Sequence, residues 1–311
     1  MSFPKFNSEI GKYILDAYNK NTNIANITNE NIDFQNTNIL NGTTSCKNTK
    51  SDIKILLAII NQIGKIINEP NVTIAINDIT TAIKHLLSFL KDKCLINSII
   101  CSYLDSLRYQ LLIFLIGLIF IAIVPVNSPF RIFVIQDVLV NVQSVLLGII
   151  IKLYTIVLQF SVIKKKKICL VCDCCSVQRQ LLQDNIILLQ QIAATLTNSI
   201  AINFINTLIS QLSTLQDLLV DTCNTIVNDL LKIINFQIQL LLQVIPLVQN
   251  NHLLLLEILS FSLQHLLDPI QSLQILIAQF KILKSIKNKS CCENIKCYDS
   301  TKHYKPTKNH C

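Results

Sequence analysis

The chain has 311 residues, 51% hydrophobic and 15% charged, with a mean hydropathy of +0.47 and a net charge of +8. Typical soluble domains carry about 25% charged residues, so much of this surface must be hidden, in a bilayer or against other copies. The five glycines (Gly11, Gly42, Gly64, Gly117, Gly148) permit no G-x-G-x-x-G, P-loop or G-x-S-x-G motif, which excludes the common nucleotide enzymes and, for want of a glycine period, collagen-like chains.

Charge is unevenly placed. Residues 1–179 carry +7, residues 180–280 carry −5, and residues 281–311 carry +6. A basic tail after an acidic body suits either body-to-tail contact between subunits or a solvated tail. There is no tryptophan, no arginine-rich face and no reading module, so no nucleic acid partner is expected.

The opening MSFPKFNSEIGKY lacks the apolar core of a secretory leader, which predicts synthesis in the cytosol. Residues 1–50 read as one short amphipathic helix, residues 8–19, followed by an Asn/Thr-rich arm or linker. Residues 51–168 read as a helical region. Ile53, Leu56, Leu57, Ile60, Ile63 and Ile67 share one face of a helix that should stop before Pro70. A second helix is expected over 74–93, with Ile76, Ile79, Ile83, Leu86, Leu87 and Leu90 inward. A third should run from about Leu95 to Pro125 and a fourth over 132–163.

Residues 111–126 contain no polar side chain, slightly short of the roughly 20 residues that span a bilayer. With the fourth helix they form an apolar hairpin at about 108–163. Basic residues stand at both ends, Lys91, Lys93 and Arg108 before and Lys164 to Lys167 after, which would place both ends in the cytoplasm if the hairpin spans a membrane. Asp137, Asn141, Ser144, Gly148, Lys152, Thr155 and Gln159 recur at spacings of 3 and 4. They form a polar stripe on an otherwise apolar helix, facing a partner helix, a wet cavity or a wetted edge.

Residues 169–287 read as a long-helix region. No Gly or Pro occurs between 178 and 245, and one break is expected near Thr197-Asn198-Ser199. The apolar seam there is Leu208, Leu212, Leu215, Leu219, Cys223, Ile226 and Leu230. Two more helices are expected, about 252–267 and, capped by Asp268-Pro269, 268–287. Residues 288–311 form a basic, cysteine-rich tail. Thr73-Ile74-Ala75-Ile76-Asn77 is echoed by Ser199-Ile200-Ala201-Ile202-Asn203, and the register holds across 73–90 and 199–216, pointing to two similar halves. The fold class is therefore all-α, a multi-helix bundle of long Leu/Ile-rich amphipathic helices.

Twelve cysteines dominate the chemistry. Cys94, Cys101 and Cys223 sit at helical positions and read as small core residues. Cys169, Cys172, Cys174 and Cys175, with Cys291, Cys292, Cys297 and Cys311, are the cross-link candidates. Zinc at Cys169, Cys172, Cys174 and Cys175 is the lesser option, because adjacent cysteines chelate one tetrahedral ion poorly. A third reading is thiols left reduced or lipidated beside a membrane helix. His85, His252 and His265 form no pair, and Asp217 with Asp221 reads as solvated face.

No catalytic or cofactor-binding residue is expected. Helix faces rich in Gln, Asn, Ser and Thr suit packing against identical neighbours without buried charge. The expected function is a non-enzymatic structural protein that self-assembles through helix packing and is fixed by cysteine cross-links, as a surface or spore-coat-like layer, fibre or crystal. Its partner is itself, with no nucleic acid and no small-molecule substrate. The alternative is an integral membrane protein with a transmembrane hairpin at 108–163 and lipid as partner. A third reading is a membrane-active, toxin-like helical protein.

Overall fold

Asn68 and Asn198 show how little loop this chain spends between helices. The computed structural model describes residues 46–90, 98–163, 175–219 and 224–286. The expectations for helix 8–19, the arm and the tail lie outside them. The chain divides into residues 1–48 and 49–311, and the bundle below, from Thr49 on, belongs to the second.

Among the described residues eight helices follow one another: α1 (Cys46–Ile67), α2 (Pro70–Phe89), α3 (Ser98–Ile123), α4 (residues 131–163), α5 (Ser176–Thr195), α6 (Ser199–Leu218), α7 (Thr225–Val248) and α8 (His252–Ile286). No strand occurs among the described residues. At the first junction Asn68 takes a positive φ of 49°, a conformation asparagine tolerates at helix ends. Glu69 is extended and Pro70 opens α2, where its missing N–H costs nothing. Between α5 and α6, Asn198 accepts from the backbone N–H groups of Ile200 and Ala201, so the expected break at 197–199 is a capped restart.

Two departures from the sequence reading have local causes. A second break separates α6 from α7, and Asn224 caps the restart by accepting from Val227 N–H. The seam expected to run from Leu208 to Leu230 is therefore split between two helices. Leu208, Leu212, Leu215 and Leu219 are buried from α6, and Ile226 and Leu230 from α7. Conversely, 252–267 and 268–287 are one helix that continues through Pro269. Asp268 does not cap a new helix. Its carboxylate meets Lys152 Nζ at 2.8 and 2.9 Å, and Pro269 removes one backbone bond without ending a helix packed along α4 and α6.

α4 is the central element. It packs against α2, α3, α7 and α8, and Leu139, Val140, Leu146, Leu147, Ile150 and Leu153 are fully buried. Each such side chain contributes about 1.5–3 kcal/mol relative to exposure. One wide turn, Asp137–Val142, is π-helical. Asn141 bonds back to Asp137 there, 2.8 Å.

The halves α1–α4 and α5–α8 share helix order, length and burial phase. α1 and α2 have 22 and 20 residues against 20 and 20 in α5 and α6, and α3 has 26 against 24 in α7. Buried positions correspond pair by pair: Leu56 with Leu182, Ile79 with Ile205, Leu86 with Leu212, Leu107 with Ile234, Leu118 with Ile245, Ile150 with Leu276. The polar seams correspond too. Arg108 Nη1 bonds Asp52 at 3.2 Å between α3 and α1. Asn235 Nδ2 bonds Gln178 at 3.2 Å at the matching place between α7 and α5.

Gly117 sits where α3 crosses α4. A Cβ there would lie 2.9 Å from both γ-carbons of Val138, and a β-branched neighbour has no free rotamer to retreat into. Gly→Ala inside a helix usually gains about 1 kcal/mol. Gly117→Ala is instead expected to cost about 1–3 kcal/mol, read as a lowered Tm. Gly148→Ala meets only the Asp268 carboxylate, whose side chain is 55% exposed and whose pair with Lys152 is a surface one worth little, so its melt should barely move.

Candidate functional site

The polar stripe of α4 was the strongest sequence signal, and its middle is spent inside the bundle. Ser144 donates to Gln237 Oε1 on α7 at 3.1 Å. Next to the stripe, Gln143 donates to the Ala75 carbonyl on α2 at 3.1 Å, and Gln136 donates to Ser262 on α8 at 2.8 Å. Lys152 pairs with Asp268 on α8, and Thr155 returns to its own helix carbonyl. Only Asp137 and Gln159, at the ends, are exposed. A second buried amide group links Asn185 on α5 with Asn235 on α7, 3.2 Å. Buried amides demand particular partners, so they fix helix register.

The charged residues also converge on structure. Arg131, 7% exposed, bonds Glu69 through Nε and Nη2 at 3.1 and 2.9 Å. Its Nη1 donates to the carbonyls of Ile121 and Val124, capping the C-terminus of α3. A cleft of about 350 Å³ beside it is lined by Glu69, Arg131, Gln136 and Gln243 among others, but its cation is already committed to Glu69 and two carbonyls.

Between α2 and α7, His85 Nδ1 lies 2.9 Å from Asp229 Oδ2, and Lys232 reaches the other oxygen at 3.2 Å. The sequence reading treated His85 as an unpaired helix residue, because its partner lies 144 positions away. Burial pushes the Asp78 carboxyl above its usual range, Asp229 adds to that and Lys232 opposes it. Burial likewise raises the Tyr154 phenol, with Asp229 adding, so Tyr154 remains a donor to the Ala82 carbonyl at 3.0 Å. His252 is exposed, and His265 lies with its ring 4.8 Å from that of Phe261. Asp217 is exposed, and Asp221 lies outside the described residues. No three His, Cys, Asp or Glu side chains converge on one point among the described residues.

Of the cross-link candidates, Cys175 is described and the other seven lie outside. Cys175 is buried, has a φ of 39° just before α5, and is disulfide-bonded. A disulfide sulfur has no thiolate to offer zinc. Cys101, expected as a small core residue, is also disulfide-bonded, as is Cys46; its helical spacing gave no sign of this. Cys94 and Cys223 lie outside the described residues.

Among the described residues α3 leaves an apolar stripe open, and α8 also exposes Leu253, Phe261, Ile275 and Ile282. On α3, Ile99, Ser102, Ser106, Tyr109, Ile116 and Phe120 are exposed at helical spacing, with Ile113 half-buried between them. Tyr109 is 54% exposed, Ile116 43% and Phe120 41%. Asp105 flanks this line, its side chain 44% exposed and accepting from Thr49 at 2.9 Å. At about 1.5 Å per residue the line is roughly 30 Å long. No protein-family model, no curated protein and no solved structure matches the chain.

Asp78 supplies a check on the α2–α7 contact. Its carboxyl binds its proton more tightly in the folded state than in the unfolded one, so stability falls as pH rises from below about 4 through the raised pKa. Asp78→Asn removes that loss. The variant is expected to melt higher than wild type at neutral pH and level with it near pH 3.

Proposed function

We propose that this is a non-enzymatic structural protein that associates with copies of itself through helix surfaces and is then held by disulfides. The observation that carries the reading is the uncovered apolar stripe on α3. Large exposed apolar patches on a folded surface are interaction sites, and with little charge beside it, Asp105 at its edge, the stripe meets a copy of this chain with little like-charge repulsion. Other exposed faces are also poor in charge. α6, for example, turns Asn203, Asn206, Thr207, Ser210 and Thr214 outward.

The stripe is narrow. One helix face of this length buries well under the roughly 800 Å² per partner of a stable interface. Non-covalent association through it is therefore weak, and a covalent lock follows naturally. The three cysteines among the described residues are disulfide-bonded, which fits a protein matured under oxidising conditions.

The membrane reading has its own observation. Among the described residues four helices are long and apolar enough to cross a bilayer: Ser98–Ile123, Arg131–Phe160, Thr225–Val248 and His252–Leu283. Against it stands the second arm of the proposed hairpin. α4 is nearly three-quarters buried, and it is bonded through Gln143, Ser144 and Tyr154 to α2 and α7. Exposing it to lipid would strip those bonds in a medium that cannot replace them.

The readings separate on the full-length chain. Self-assembly predicts particles that sediment without lipid or detergent and loosen with reductant. Ile116→Glu with Phe120→Glu should abolish them while the far-ultraviolet spectrum stays helical. A chain found in membranes and resistant to alkaline carbonate would overturn the proposal.

A further inference from the structure

The two halves of the bundle are alike, but their third helices are not equally covered. α7 is covered by α2 from the other half, through His85 and Asp229. On that side of α7, Ile226, Asp229 and Ile233 are 4%, 7% and 1% exposed. The matching positions on α3 are Ile99, Ser102 and Ser106, and all three are exposed. The helix that would cover them by the same rule is α6, the counterpart of α2. Within the chain α6 packs on α5 and α8 and does not run along α3.

α6 has the matching vacancy. α2 meets α7 through Asp78 and His85, whose counterparts on α6 are Phe204 and Gln211. Phe204 is half-exposed, and around it Ile200 and Thr207 are exposed, Ile200 by 53%. The His85–Asp229 ion pair that clasps α2 to α7 has no counterpart on these faces. Ser102 stands where Asp229 does, and Gln211, whose side chain accepts from Gln274 on α8, stands where His85 does. What remains is Ile, Phe and Tyr flanked by Ser and Thr, with Asp105 beside the α3 face.

We infer that the α6 face of one copy, Ile200, Phe204 and Thr207, seats on the α3 face of the next copy, Ile99, Ser102, Ser106 and Tyr109. This contact repeats between chains what α2 does to α7 within one. It joins two different surfaces, so it does not close on itself after two copies. Heterologous contacts of this kind generate open filaments or rings rather than two-fold dimers. The inference rests on the self-assembly reading and specifies its geometry: the partner of α3 is α6, not a second α3.

The test uses two full-length variants at exposed positions. One carries Ser106→Glu and Tyr109→Glu on α3, the other Ile200→Glu and Thr207→Glu on α6. A buried α6 variant, Leu208→Ala, separates loss of contact from loss of fold. Sedimentation velocity of wild type should show species larger than a dimer. Each surface variant alone should lose them and keep the wild-type helical signal. Mixing the two should restore association only as far as the dimer, because each copy then has one intact end. Leu208→Ala should lower Tm yet still assemble below its melting point. An α6 variant that assembles like wild type, or a mixture with no heterodimer, overturns the α6–α3 contact while leaving self-assembly standing. Wild-type chain that stays monomeric at every concentration, oxidised or reduced, overturns the self-assembly reading as well.

Discussion

A helix apolar on nearly every side has no face to leave in water. α4 is such a helix, and the arrangement of the bundle follows from covering it. α3 lies along one side, α2 and α7 along others, and α8 along the remainder. Several buried polar groups on α4 are bonded by a neighbouring helix, as Ser144 is by Gln237 and Gln136 by Ser262. Once four helices have been spent on α4, one of them, α3, has its outer side left over.

The elements themselves were largely legible. The helix expected to stop before Pro70 does so, and the next, expected from 74, starts at Pro70 itself, where a proline ring fits the first turn. The inward Ile and Leu of α1 and α2 fell where their spacing put them. The break at Leu219–Asn224 was hidden because no Gly or Pro marks it, and the capping asparagine is one of many in a chain rich in that residue. Continuity through Pro269 was hidden for the opposite reason. A strong local stop signal was outweighed by packing against α4 and α6.

The candidate surface was not legible as a surface. Residues 111–126 read as apolar on all sides, and nothing in periodicity distinguishes the side turned to α4 from the side turned out. The contrast with α7 supplies that distinction. Two helices with matching buried positions, Leu107 with Ile234 and Leu118 with Ile245, differ in what their other sides meet. His85 was equally opaque, since an ion pair formed across 144 residues leaves no local trace.

The matching seams of the two halves are made of different materials. In the first, a guanidinium meets a carboxylate, Arg108 with Asp52. In the second, two neutral amides, Asn235 and Gln178, do the same task. Added salt screens the first and leaves the second untouched, since Asp52 retains 22% side-chain exposure. Of these two matching seams, ionic strength therefore acts on the first. At high salt the α1–α3 seam loosens first, and the α5–α7 seam holds the same geometry without relying on charge at all.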